Sequence, residues 1–243
     1  MQENPSTNNH TIMSSPPPPA NPLHLPPHLT TLLTRLHTQS LTQESTLPAS
    51  TYKDTSTSTF DTLMRDKFIA LEEEKCHFVY QIIRMIDARY VVEAGTSFGV
   101  STIYLALGVG ENVKDGDGKQ GKVVATEKEK SKAEVARRHW AEAGKEVEKW
   151  IELREGNLLE TLSEGLEEGV DLLLLDIWAP LALPTLKIVQ PKLRRGAVVI
   201  ADNTVSGKDR YGDLLTYMRA EGSGFRNLTV PYQGGLDVSV YLP

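Results

Sequence analysis

Two carboxylates and one amide in this chain have the chemistry of a divalent-cation site. Asp176 ends one apolar run, and Asp202 and Asn203 end a later one. Their oxygens are hard ligands that suit Mg²⁺ or a similar ion, which keeps some waters and leaves positions open for substrate oxygens. If both runs are parallel strands, the three side chains lie on one rim of a sheet. The alternative is that they only cap helices and shape turns.

A glycine-rich turn follows an earlier apolar run and points to a nucleotide-like ligand. The segment 91–106 has the pattern of a strand, a loop containing Gly95 and Gly99, and a helix. These glycines permit positive φ and close backbone approach, and the first N–H groups of the helix would face a ligand above the loop. Ser97 and Val100 replace two glycines of the dinucleotide motif, and no Gly-Lys-Ser/Thr of a P-loop follows, which disfavours both of those sites.

A third carboxylate, Glu127, ends the next apolar run. At a strand end it would accept hydrogen bonds from both hydroxyls of a ribose. Its alternative role is a solvated charge or a helix cap. Together with the glycine-rich loop, it predicts a nucleotide-like cofactor site.

These segments resemble the class I S-adenosylmethionine-dependent methyltransferases. In that superfamily an E-x-G-x-x-x-G loop, here 93–99, holds the amino acid part of the cofactor, and an acid after the second strand holds the ribose. Blocks 171–178, 196–203 and 234–241 look like those of the cation-dependent O-methyltransferases, the group with the catechol and caffeoyl-CoA enzymes. The resemblance covers residues 60–243. It implies methyl transfer from S-adenosylmethionine to a small phenolic or catechol-like acceptor, assisted by Mg²⁺ or another divalent cation.

The resemblance also implies roles for individual residues. The expected cofactor-binding residues are Glu93, Gly95, Thr96, Ser97, Gly99, Ser101, Glu127, Gly156, Asn157, Asp176 and Trp178. The expected cation ligands are Asp176, Asp202 and Asn203, and Asp237 resembles the acid that contacts the second hydroxyl of the acceptor. Trp178 and Tyr211 are candidate walls of the acceptor pocket because their rings can stack on an aromatic ring, and either could equally belong to the core.

Asp176 is the first expected catalytic residue. Catechol-type enzymes carry a Lys just after the metal-site Asp-x-Trp, whereas Ala179 stands here. Lys208 is therefore a second catalytic candidate, although an exposed Lys is usually only solvated. Two alternatives follow from this departure: a metal-independent methyltransferase that acts by proximity, and a cofactor-binding protein without transferase activity.

The composition favours a soluble protein that acts on a small molecule. The chain has 243 residues, 40% of them hydrophobic, and a net charge of −6, which gives no basic excess for nucleic acid. Its apolar runs are too short for a membrane helix, and its N-terminus lacks the order of a secretory signal. The single Cys76 fits a reducing compartment, so we expect a cytoplasmic protein. A small buried residue on a helix is the plainer interpretation of Cys76.

The order of elements predicts an α/β fold with a doubly wound, mostly parallel seven-stranded sheet. The predicted parallel strands are 90–94, 122–127, 151–155, 171–176 and 197–202. The predicted helices between and after them are 99–109, 129–144, 157–167, 181–193 and 208–221. Runs 225–231 and 236–242 predict an antiparallel pair at the C-terminal edge. Two helices are expected before the first strand, and the acidic cluster Glu72 to Lys75 is expected to be a solvated helix face.

The N-terminal part divides into two segments ahead of the methyltransferase domain at 60–243. Residues 1–27 are Pro-rich and predict a disordered arm. Residues 28–59 predict one helix, with leucines at helical spacing, and a polar linker. That helix could cover the substrate pocket, contact a partner subunit in a homodimer, or pack on the outside of the same domain.

Overall fold

A computed structural model describes residues 20–48, 62–116 and 120–243 of the chain. Its centre is a seven-stranded sheet with the order β3-β2-β1-β4-β5-β7-β6. The strands are β1 (Tyr90–Ala94), β2 (Lys122–Glu127), β3 (Ile151–Glu155), β4 (Val170–Leu175), β5 (Leu193–Asp202), β6 (Phe225–Val230) and β7 (Leu236–Tyr241). The helices are α1 (Pro27–Ser45), α2 (Glu73–Met85), α3 (Val100–Asp115), α4 (Lys130–Ala143), α5 (Lys145–Glu148), α6 (Leu158–Thr161), α7 (Ala182–Val189) and α8 (Lys208–Arg219).

The sheet topology places the ends of β1 and β4 at the centre of the molecule. Strands β1 to β5 run parallel, and β7 lies antiparallel between β5 and β6. The chain first builds outward from β1 to β3 and then returns to β4 on the other side of β1. Ligands of open α/β sheets bind where the strand order reverses in this way, outside the carboxyl ends of the strands. The predicted doubly wound sheet with its antiparallel edge pair is confirmed.

Two apolar layers cover the faces of the sheet. One contains Ile103, Tyr104 and Trp140 and joins α1 to α4 to the sheet, and the other contains Leu186, Tyr211 and Met218 on the side of α7 and α8. Because both faces are covered, the central strands are nearly continuous runs of Val, Leu and Ala. None of the helices in the described ranges has the length and apolar character needed to cross a membrane.

Helix α1 packs on the same domain rather than standing apart from it. Its leucines at positions 29, 32, 33 and 36 are buried in the core. His37 Nε2 lies 2.9 Å from the Tyr104 hydroxyl on α3, and Ser40 Oγ accepts a hydrogen bond of 2.9 Å from Ala70 N. The helix begins at Pro27, one residue before the predicted boundary, and Leu23 ahead of it is buried. Residues 1–19 of the predicted arm and 49–59 of the predicted linker lie outside the described residues.

Several predicted element bounds were wrong for reasons of tertiary contact. Helix α3 continues to Asp115 instead of ending at 109, because Arg84 on α2 donates to Asn112 Oδ1 (2.5 Å) and Asp115 Oδ2 (2.6 Å). The predicted helix 157–167 is reduced to the single turn α6. Residues 67–72 are not helical, so Phe68 and Leu71 belong to an irregular segment that is packed into the core.

Candidate active site

The loop after β1 needs glycine at two positions for different neighbours. Gly95 has φ +97°, and a Cβ there would lie 2.0 Å from the carbonyl oxygen of Asp176. Gly99 has φ +79°, and a Cβ there would lie 2.5 Å from Trp140 Nε1. Only glycine fits such contacts at positive φ. The loop is thereby pressed against the end of β4 on one side and against α4 on the other.

Glu93 stabilises this loop from behind. Its carboxylate is fully buried and accepts hydrogen bonds from Thr96 Oγ1 (2.7 Å), Ser101 Oγ (2.6 Å) and Thr102 Oγ1 (2.6 Å). Burial raises the pKa of Glu93, and the three hydroxyl donors oppose the shift. Glu93, Thr96 and Ser101, which the sequence placed among the cofactor ligands, are therefore tied to one another and shape the loop.

Glu127 lies at the end of β2, at the edge of the same cleft. Its side chain is almost buried, and Oε1 accepts a hydrogen bond of 2.7 Å from Glu129 N. Burial raises the pKa of Glu127, whereas that backbone N–H and the charge of Lys132 oppose the shift. Gly156, at the end of β3, lines the cleft with φ +120°. Asn157 caps α6 instead: its Oδ1 accepts a hydrogen bond of 3.1 Å from Leu159 N.

A cleft of about 680 Å³ connects these strand ends. It runs from Gly95, Ser97 and Glu127 to the ends of β4 and β5. The residues that the sequence analysis singled out and that line this cleft are Gly95, Ser97, Glu127, Gly156, Asp176, Trp178, Asp202, Asn203 and Tyr211. A smaller cavity beside the loop is also lined by Asp176, together with Thr96 and Ser101.

The three expected cation ligands converge at the far end of the cleft. The Asp176 carboxylate receives no hydrogen bond from any side chain of the described residues and faces both cavities. Asp202 is the last residue of β5 and Asn203 follows it with φ +58°, and Asn203 Nδ2 donates to Asp202 Oδ2 at 2.6 Å. Burial and the Asp202 charge raise the pKa of Asp176 well above its usual value.

The carboxylates make this rim acidic, and a buried lysine that the sequence analysis did not predict offsets part of their negative charge. Lys75 of α2 is 1% exposed, and its Nζ lies 2.5 Å from Asp202 Oδ1 and 2.8 Å from Glu72 Oε2. Burial and the Glu72 charge raise the pKa of Asp202 to about 6, although Lys75 opposes the shift. The prediction of a solvated face at Glu72 to Lys75 was wrong for Lys75. Its spacing from Val79 and Ile83, at i+4 and i+8, indicated the buried stripe.

Asp176, Asp202 and Asn203 have the donor chemistry of a divalent-cation site, although in this conformation Asn203 Nδ2 donates to Asp202 Oδ2 at 2.6 Å and Asn203 Oδ1 lies 3.4 Å from Ser206 Oγ. Two carboxylates and one amide lie together, and Mg²⁺ is typically bound by one or two carboxylates plus other oxygens. In the described part of the chain, no three Asp, Glu, His or Cys side chains form a group that could hold a metal ion by themselves. Asn203 and non-protein oxygens would therefore have to complete the coordination.

Aromatic side chains form the wall beside this rim. Trp178 lines the cleft, and the guanidinium carbon of Arg210 lies 5.1 Å from its ring centroid. Tyr211 is 4% exposed, and its hydroxyl donates to the carbonyl of Ile177 at 3.4 Å. Both residues line the cleft, and aromatic rings are suited to packing against an aromatic acceptor.

Two expected site residues lie elsewhere. Asp237 on β7 does not line the cleft. Its Oδ1 instead accepts hydrogen bonds from Arg219 Nη2 on α8 (2.9 Å) and from Thr229 Oγ1 on β6 (3.0 Å). Lys208 is the exposed first residue of α8 and does not line the cleft. The structure also places Cys76 in the core, where burial raises the pKa of its thiol.

Comparisons with known proteins agree with this architecture. Residues 92–204 match the family described as "Methyltransferase domain". The chain is 34% identical, over 139 residues, to the catechol O-methyltransferase of Mycobacterium tuberculosis (strain ATCC 25618 / H37Rv), covering 57% of this chain and 59% of that protein. It therefore spans about three-fifths of the length of that relative.

Solved structures extend the likeness over most of the chain. Cofactor-bound Rv0187 from MTB is similar with a TM-score of 0.65 and 24% identity, covering 89% of this chain and 90% of that one. The O-methyltransferase from Bacillus cereus in complex with SAH gives a TM-score of 0.62 and 20% identity, covering 85% and 99%. At these identities the likeness concerns the fold alone. The chain shares the fold of these solved structures, and residues 92–204 match a methyltransferase domain.

Proposed function

We propose that the protein is an S-adenosylmethionine-dependent O-methyltransferase that acts on a small phenolic or catechol-like acceptor. The observation that carries this proposal is the single cleft that joins the loop at Gly95 and the Glu127 carboxylate to the rim of Asp176 and the ring of Trp178. A cofactor at one end and an acceptor at the other would meet at Asp176. The names of the relatives support the same reaction class.

The chain's own residues would supply binding and alignment. When bound, S-adenosylmethionine supplies an electrophilic methyl group. Glu127 would accept hydrogen bonds from the ribose, and the Ser97 turn would follow the amino acid part of the cofactor. Trp178 and Tyr211 would hold the acceptor ring in one plane, which restricts its hydroxyl to the approach that in-line transfer requires.

Asp176 would deal with the acceptor's proton. Of the two expected catalytic residues, Asp176 lines the cleft and Lys208 does not, which supports Asp176 for this role. Asp176 lines both cavities, and no side chain of the described residues donates to its carboxylate, so that this carboxylate would be able to accept a hydrogen bond from an acceptor hydroxyl.

The cation-assisted form of this function is supported by the convergence of Asp176, Asp202 and Asn203. A divalent cation held there would supply Lewis-acid stabilisation of an acceptor phenolate. The other form relies on alignment and Asp176 alone. A cytoplasmic location and a homodimer remain predictions from the sequence.

Transfer from labelled S-adenosylmethionine to a panel of catechols, monophenols, amines and thiols tests the proposal. We expect label on catechols or phenols, and a loss of turnover on chelation that added Mg²⁺ restores. Turnover that persists after exhaustive chelation would leave the metal-independent form. Label only on amines or thiols, or cofactor binding without transfer to any acceptor, would refute the O-methyltransferase proposal.

A further inference from the structure

The ammonium of Lys75 is buried behind the acidic rim rather than exposed in the cleft. Asp202 and Glu72 line the cleft, but Lys75 does not. Its Nζ contacts Asp202 Oδ1 at 2.5 Å and Glu72 Oε2 at 2.8 Å, so it bridges two carboxylates of the rim from below. A lysine is rarely this deeply buried unless it is paired, and its pairing here joins the first turn of α2 to the end of β5 across the core.

This contact fixes the orientation of the Asp202 carboxylate. Oδ1 accepts a hydrogen bond of 2.5 Å from Lys75 Nζ, and Oδ2 accepts one of 2.6 Å from Asn203 Nδ2. A carboxylate held at both oxygens cannot rotate freely, so Oδ2 and the Asn203 amide keep a fixed position relative to each other. Groups that bind the back of a metal-ligating carboxylate orient it in this way and tune the metal.

The same contact sets the charge of the rim. Lys75 contacts the carboxylates of Glu72 and Asp202, and its charge also acts on the carboxylate of Asp176. That ammonium attracts the carboxylates and repels a second cation, so its presence weakens the attraction of the rim for a divalent ion. Stability alone is a weak reason for such a pair, because buried ion pairs often contribute little compared with an apolar replacement.

We propose that Lys75 is a positioning residue that holds Asp202 from behind and lowers the affinity of the rim for a divalent cation. The proposal rests on the cation-assisted form of the proposed function. Lys75 touches neither cofactor nor acceptor and acts through Asp202. It gives a signature that a purely structural lysine would not give: loss of its charge should tighten cation binding while it slows turnover.

The test uses the full chain and Mn²⁺ as the probe, with free Mn²⁺ measured by electron paramagnetic resonance. Lys75→Met removes both charge and donor, Lys75→Gln keeps a donor toward Asp202 without the charge, and Lys75→Arg keeps the charge. Lys192→Met is the matched control, since that lysine pairs with the exposed Glu168 on the surface. Cofactor affinity is measured separately by calorimetry, and turnover at saturating Mn²⁺.

Lys75→Met and Lys75→Gln should bind Mn²⁺ roughly tenfold more tightly than the unmodified chain. Turnover at saturating Mn²⁺ should fall by roughly tenfold or more in Lys75→Met and by less in Lys75→Gln. Lys75→Arg and Lys192→Met should keep the original Mn²⁺ affinity. If Lys75→Met does not fold, Lys75→Gln carries the test alone.

Unchanged Mn²⁺ affinity in a folded Lys75→Gln protein would overturn the proposal. So would the absence of Mn²⁺ binding to the unmodified chain at millimolar concentration, because Lys75 would then have no cation to tune. If the proposed function itself is wrong, the chain should show neither cofactor binding nor methyl transfer, whatever the Mn²⁺ titrations give.

Discussion

Gly95 and Asp176 are in direct backbone contact across the cleft floor. Asp176 N donates to Ala94 O at 3.0 Å, and a Cβ on Gly95 would lie 2.0 Å from the Asp176 carbonyl oxygen. The loop after β1 and the end of β4 therefore cannot move independently. This contact places the cofactor loop beside the carboxylate that we assign to the acceptor.

Gly95→Ala should disrupt the loop and abolish cofactor binding. The new methyl collides with backbone that cannot yield, and φ +97° adds strain. Gly144→Ala is the matched control, because Gly144 has φ +101° with nothing within 4 Å of its would-be Cβ. We expect Gly144→Ala to cost only the backbone strain, on the order of 1–2 kcal/mol, and Gly95→Ala clearly more. Urea unfolding and calorimetry with S-adenosylmethionine measure both; equal losses would contradict the collision.

Glu127→Gln should weaken cofactor binding and leave the fold intact. The substitution keeps the volume but removes the charge that would accept two ribose hydroxyls. Charged hydrogen bonds contribute about 1.5–3 kcal/mol, which corresponds to roughly ten- to hundredfold weaker binding. Glu155→Gln is the control, since Glu155 is the register partner of Glu127 on β3 but is exposed and lies outside the cleft lining. An unchanged dissociation constant for Glu127→Gln would remove this residue from the site.

Asp176→Asn should reduce turnover far more than it reduces stability. No side chain of the described residues donates to this carboxylate, so the fold has little need of its charge. Loss of a proton acceptor typically costs about 10²–10⁴-fold in rate. We expect the dissociation constant for S-adenosylmethionine to change by much less, and the melting temperature to stay the same or rise as repulsion from Asp202 is relieved. Turnover within twofold of the unmodified protein would exclude Asp176 as the catalytic residue.

Asp237→Asn should affect stability and not the acceptor. Its carboxylate pairs with Arg219, whose side chain is 47% exposed, so that water screens part of the lost charge. A loss of about 1 kcal/mol in the free energy of unfolding is expected. The KM for the acceptor should not change. A raised KM with unchanged stability would restore the acceptor role that the sequence predicted.

The buried His37 should make folding sensitive to acid. Burial lowers its pKa below the ordinary value of 6.5. The unfolded chain therefore takes up a proton at a higher pH than the folded chain does. The contribution of neutral His37 to the free energy of unfolding is complete above about pH 6.5 and is lost as the pH falls toward the pKa of the folded state. His37→Gln should lose this dependence while it keeps a partner for Tyr104. The difference in unfolding free energy between the two proteins, measured by urea titration from pH 7.5 to 5, should shrink with acid. A constant difference would contradict this.

The sequence by itself determined the sheet and much of the rim. Hydrophobic runs of strand length, each closed by Gly, Asp or Glu, predicted the strands of a doubly wound sheet and placed Asp176, Asp202 and Glu127 at strand ends. Parallel strands bring such ends to one edge whatever the loops do, so these local signals were sufficient. The requirement for Gly95 and Gly99 was likewise readable, although not the neighbours that impose it.

Only the tertiary structure decided which polar side chains serve the cleft and which serve the fold. Glu93 and Asp237 carry carboxylates of the kind that bind ligands, but hydroxyl and guanidinium groups of the protein itself donate hydrogen bonds to them. Lys75 appeared to be part of a solvated acidic face, yet the packing of α2 against the sheet brings it to Asp202, 127 positions along the chain. Contacts between residues so far apart in the chain depend on how the helices pack against the sheet, and no local sequence pattern encodes that packing.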